Sequence, residues 1–196
     1  MKKNTKKLVA ILLAVVLLVG AVIGGTLAWF TDTTQNVQNT FTVGNIDIEL
    51  EETDSDKDQD PDKNDYKMIP GWTIEKDPLV TVKADSEKCY VFVKLDKSEN
   101  FDNFMTYTMA EGWTALTGET GVYWRIVETD TADQEFQVIK DDTVTVKWEV
   151  TKEMMDAIEK GEATEPTLNV TAYAVQYYKT NDVEFSETEA WAIVKP

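Results

Sequence analysis

The residues of this chain best equipped for chemistry are carboxylates: 36 aspartates and glutamates stand against 19 lysines and arginines, with no histidine and one cysteine. Their densest run is Asp54-Ser55-Asp56-Lys57-Asp58-Gln59-Asp60-Pro61-Asp62-Lys63-Asn64-Asp65. It places Asp54, Asp56, Asp58, Asp60, Asp62 and Asp65 at loop positions 1, 3, 5, 7, 9 and 12. That spacing imitates a calcium loop, in which alternate side chains converge on one hard cation. The sixth position, where the sharp turn takes glycine, is Gln59, and the twelfth is Asp65 in place of a bidentate glutamate. No helical pattern flanks the run. The stretch therefore reads as a solvated acidic loop over residues 51–65 that gathers cations weakly, and calcium is the one cofactor to weigh.

Other chemistries find less. Without histidine, neither a His-Glu-x-x-His zinc site nor a Ser-His-Asp or Cys-His pair can form. Paired carboxylates could serve glycoside hydrolysis, but no motif singles out a pair. Cys89 has no partner within the chain for a disulfide. In residues 89–95 it shares a strand face with Val91, Val93 and Leu95, so it reads as a buried, inert thiol, with an intermolecular bridge as the alternative. The six tryptophans are Trp29, Trp72, Trp113, Trp124, Trp148 and Trp191. Most read as core, and any left exposed could bind glycans or protein partners. No enzymatic constellation is expected.

The elements that must position these residues begin with Lys2, Lys3, Lys6 and Lys7, followed by an uncharged run of 23 residues from Leu8 to Phe30. The lysines hold one end at an anionic inner surface while the apolar run inserts. That run is long enough to remain as an anchor. Gly20, Gly24 and Gly25 loosen it, however, and Thr26-Leu27-Ala28 supplies small residues ahead of a cut between Ala28 and Trp29. Residues 1–28 thus read as a signal helix that is removed. Its four lysines go with it, taking the formal charge from −17 to −21 and leaving residues 29–196 as one domain. So acidic a surface repels nucleic acid and anionic lipid, and the membrane is met only through the signal segment.

Downstream, β patterns dominate. Phe41 and Val43 alternate, Gly44-Asn45 breaks the register, and Ile46, Ile48 and Leu50 resume it. Pro70-Gly71 marks a turn, and Pro78 makes residues 72–82 either an edge strand or a broken one. Residues 113–116 and 122–127 should pair as a hairpin, and residues 136–139 read as a short strand. Residues 143–150 alternate with Val144, Val146, Trp148 and Val150 on one face, predicting a buried side. Thr151 caps a peripheral helix bearing Met154, Met155 and Ile158, which Gly161 ends. Residues 167–178 are apolar on both faces, as in a central strand. Ser186 and Glu189 form a capping box opening a short terminal helix. The sum is an all-β sandwich with one or two short peripheral helices, preceded by the signal helix.

Two stretches go further. Gly24-Gly25-Thr26-Leu27-Ala28-Trp29-Phe30-Thr31-Asp32, then Asn39-Thr40-Phe41-Thr42-Val43-Gly44-Asn45-Ile46-Asp47-Ile48, resemble the TasA/camelysin family of exported Gram-positive proteins. Pro70-Gly71 and Ala190-Trp191-Ala192 are looser matches. The resemblance implies a jelly roll, cleavage by a dedicated ER-type signal peptidase, secretion to the matrix or cell surface, and self-association into biofilm fibres. It also brings a metalloprotease reading, which the missing histidine opposes. With the pattern of residues 29–43, it implies donor-strand exchange in which Phe30, Val37, Phe41 and Val43 anchor in a neighbouring sheet. The alternative is a monomeric surface adhesion or cation-dependent binding module.

Overall fold

Strands carry the architecture of residues 31–33, 45–53, 64–180 and 182–196, which the computed structural model describes. In chain order they begin with β1 (Thr31–Thr33), β2 (Ile48–Glu51), β3 (Thr73–Glu75), β4 (Leu79–Val82) and β5 (Cys89–Lys97). After helix α1 (Phe101–Phe104) come β6 (Met105–Thr106), β7 (Thr114–Ala115), β8 (Val122–Val127), β9 (Gln134–Gln137) and β10 (Thr143–Val146). Helix α2 (Lys152–Glu159), the long strand β11 (Leu168–Gln176), the hairpin β12 (Tyr178–Thr180) and β13 (Val183–Glu184), and helix α3 (Glu187–Val194) complete the order.

The largest sheet runs β1-β11-β5-β8-β7, antiparallel at every step. Two smaller sheets, β2-β4-β9 and β3-β10-β6, make the opposing layer. The sandwich follows from alternation along β5 and β11. Cys89, Val91, Val93, Leu95, Ala172 and Ala174 point to one face. There they join Ile48, Val80 and Val82 of one small sheet, and Val144 and Val146 of the other, in a single buried cluster. Each such valine contributes roughly 1.5–3 kcal/mol on leaving water. The chain is an all-β sandwich with short helices.

The other face of the large sheet is also covered, which explains why β5 and β11 are apolar on both sides. Tyr90, Phe92, Tyr173 and Val175 pack under α3 through Ala190, Trp191 and Val194. The Trp191 ring lies 5.3 Å from both Phe92 and Tyr173, edge-on to the latter. Ser186 starts this helix: its side chain accepts from Glu189 N while Glu189 reaches back to the Ser186 N–H. The terminal helix is therefore a covering layer, where the sequence predicts a peripheral one. Helix α2 is the peripheral one: Thr151 caps it, and Met154, Met155 and Ile158 are only half-buried against the core.

Two sequence expectations shift. The strand read at 136–139 lies at Gln134–Gln137, and Val138 and Ile139 are buried beyond its end, Val138 N donating to Pro78 O. The alternation read through 143–150 stops at Val146. Lys147 N donates to Phe104 O, the chain turns with Val150 N donating to Lys147 O, and Trp148 is left 79% exposed while Val150 returns to the core. A local turn overrides the period-2 pattern there.

Candidate functional site

The β1 side of the large sheet is the first site to consider. Strand β11 pairs along its whole length with β5, from Leu168↔Lys97 to Gln176↔Cys89. Among the described residues, its other edge pairs with β1, through Thr31↔Val175, Asp32↔Ala174 and Thr33↔Tyr173. The segment just after the expected cut is thus docked on the chain's own β11. Of the anchors expected for strand donation, Phe30, Val37, Phe41 and Val43 lie outside the described residues, as do Ala28 and Trp29 at the expected cut.

The acidic run is described only at its end. Asp54, Asp56, Asp58, Asp60 and Asp62 lie outside the described residues, and Asp65 lines a half-enclosed cleft of about 600 Å³. Lys76 in that cleft donates to both oxygens of Glu52, at 2.7 and 2.9 Å. No group of three or more histidine, cysteine, aspartate or glutamate side chains among the described residues is placed to hold a metal ion.

A larger cavity, of about 1270 Å³, opens between β2, β4 and β9 and the loops after Met109 and Lys140. Seven carboxylate residues line it, Asp77, Glu111, Glu135 and Asp142 among them, against two bases, Arg125 and Lys140. Asp142 holds a left-handed backbone at φ 53. Burial, with the charges of Asp77 and Asp141 behind it, raises its carboxyl above the usual range. Arg125 comes from β8, opposite Val91 of β5, and so points between the layers. Its guanidinium carbon is 3.8 Å from the centre of the Phe136 ring and 5.3 Å from that of Trp113. Trp113 is fixed by its Nε1–H donating to Gln137 O at 2.7 Å. The sequence reading passes over Arg125. The signal for it was compositional, since it is the only arginine in 196 residues.

The tryptophans divide. Trp191 is buried, Trp113 and Trp124 are half-buried, and Trp72 and Trp148 are 62% and 79% exposed. Trp29 lies outside the described residues. The exposed pair flanks the Pro70-Gly71 turn beside β3 and β10, with Gly71 N donating to Val146 O at 3.0 Å and Val146 N to Trp72 O at 2.8 Å.

The model of the camelysin metallo-endopeptidase family matches residues 3–164. No curated protein and no solved structure matches the chain. A catalytic metal of the kind that family description implies draws its ligands from imidazole, thiolate and carboxylate. This chain has no histidine, and Cys89 is fully buried in β5, where burial pushes its thiol up to about 12. At neutral pH that sulfur is protonated and serves neither as ligand nor as nucleophile. The donor set does not fit a zinc-type centre. Among the described residues, no helix is long and apolar enough to cross a membrane.

Proposed function

The chain belongs to the camelysin metallo-endopeptidase family, and from that premise we propose that it is an exported structural subunit of the TasA type. In this reading residues 1–28 are removed by a signal peptidase. Residues 29–196 act as one secreted jelly-roll domain in the extracellular matrix or at the cell surface. Subunits join into biofilm fibres by lending the N-terminal strand to a neighbour.

One observation supports it above the rest: Thr31–Thr33, directly after the expected cut, add as an antiparallel strand to β11 at the edge of the main sheet. A strand begun at the cleavage point cannot swing to another subunit while it is tethered to a membrane segment, so processing would release it. The same backbone pairing made with a neighbour's β11 is strand addition, in which main-chain hydrogen bonds supply affinity and alternate side chains supply specificity. Such a head-to-tail contact does not close on itself and propagates as a filament. Proteolysis is not part of this proposal, because the residues present do not fit the metal. Deleting residues 29–39 from protein beginning at Trp29 tests the reading. Fibres seen by electron microscopy for the intact form should be absent for the shortened one under the same ionic conditions. Equal fibre formation by both forms would refute strand donation.

A second reading, a monomeric adhesion module, rests on Trp72 and Trp148, which expose two indoles beside one turn. Exposed aromatic pairs of this kind commonly mark contact surfaces. Intact protein that stays monomeric across salt and pH would favour it.

A further inference from the structure

Arg125 is treated differently from the other basic residues of the chain. Eight of the described lysines pair with carboxylates, as in Lys83 with Glu49 and Asp133, Lys88 with Glu128, and Lys97 with Asp102. Arg125, half-buried, has no hydrogen bond or ion pair among the described residues, and its Nε is buried without an acceptor. An unsatisfied, partly desolvated guanidinium is costly, and stacking on aromatic faces offsets that only in part. Nor is it free to seek a partner. Phe136 and Trp113 flank it, and Gly112, at φ +87, brings its backbone so close that a Cβ there would sit 3.0 Å from Nη2. Nε is closed to solvent, so a ligand in the cavity would meet the two Nη groups, and a carboxylate, which takes two parallel N–H bonds in one plane, suits them.

The surroundings narrow the ligand. Glu111, Glu135, Asp77 and Asp142 line the same cavity, so a plain anion is repelled on approach. A molecule bearing a carboxylate for Arg125 and an ammonium for the acids meets both demands. We propose that this cavity binds a zwitterionic basic amino acid, free or as the C-terminal residue of a peptide. Its carboxylate would lie on the Arg125 guanidinium and its ammonium among the cavity's carboxylates. This adds a small-ligand site to a protein otherwise read as a structural subunit, and it does not depend on fibre formation.

The test is titration of the 15N-labelled full protein, following the Arg125 Nε–H and Trp113 indole N–H resonances. Free L-lysine and the tripeptide Ala-Ala-Lys separate the two sources of the ligand. Acetate and cadaverine carry one charge type each. Saturable shifts of both resonances with lysine or the tripeptide, and not with acetate or cadaverine at equal concentration, are expected. Arg125→Lys keeps the charge but loses the fork, and should weaken binding by about tenfold or more. Arg125→Met should abolish it, with amide dispersion confirming the fold. If Arg125→Met unfolds, the lysine variant alone decides. Three outcomes overturn the proposal: no shift with lysine or tripeptide up to about 50 mM, equal binding of acetate, or undiminished binding by Arg125→Lys.

Discussion

Gly71 lies directly against the indole of Trp148, and a Cβ at Gly71 would overlap Cζ2, Cε2 and Cη2 of that ring. The backbone of Gly71 is left-handed, at φ +78. Glycine is therefore needed here twice, once for the turn and once for the ring. The indole, 79% exposed, is propped on a bare turn and not on the core. Gly71→Ala should destabilise by about 1–3 kcal/mol, combining the left-handed backbone with the clash. In a Trp148→Ala background only the backbone part should persist, leaving a coupling of roughly 0.5–3 kcal/mol in a double-mutant cycle. Urea unfolding of the four proteins measures it.

Processing should leave Trp29 as the first residue, because the small side chain of Ala28 suits a cleavage pocket that a bulky indole does not. Mass spectrometry of protein recovered from the medium reads the new terminus. Recovery from membranes alone, with residues 1–28 attached, would replace the secreted subunit with an anchored one.

Assembly should respond to ionic conditions. A formal charge of −17, or −21 once the four lysines of residues 1–28 are gone, opposes contact between identical subunits. Added salt, divalent cations or mild acid each reduce that repulsion, so the onset of fibres, followed by light scattering, should move to lower protein concentration.

Glu189 gives α3 a defined acid response. The Lys179 ammonium, first, and then the Ser186 backbone and side chain bind its carboxylate and hold its pKa near about 2, below the ordinary 4.5. The folded pKa is the lower one. The associated stability is hence fully present above about pH 4.5 and is lost as pH falls from there through about 2. Glu189→Gln should lower stability at neutral pH and flatten its decline across that window, as followed by denaturant midpoints at successive pH values.

Any calcium effect should trace to the acidic run. Replacing Asp54, Asp56 and Asp58 with Asn should abolish calcium-induced thermal stabilisation while leaving the midpoint without calcium in place. Stabilisation that survives would locate the site elsewhere. The pure protein should also cleave no peptide with or without added zinc, and zinc-dependent cleavage would overturn the non-enzymatic reading.

Local chemistry alone determined much of this molecule. The Thr151 and Ser186 caps, the interruption at Pro78, the turn at Pro70-Gly71 and the two-sided apolar pattern of residues 167–178 are legible because each depends on residues a few positions apart. The family was legible too, in the motifs at residues 24–32 and 39–48. What tertiary structure decided involves partners far along the chain. Period-2 alternation put Trp148 in the core, and a turn anchored on Phe104 put it outside. Nothing local says that α3 must roof the large sheet, because Phe92 and Tyr173, which receive Trp191, belong to strands paired across long sequence separations. The setting of Arg125 is of the same kind. Arg125 on β8 meets Gly112 and Trp113 from one segment and Phe136 from another, and only the packing of one sheet on another brings a cation, two rings and several carboxylates into one cavity.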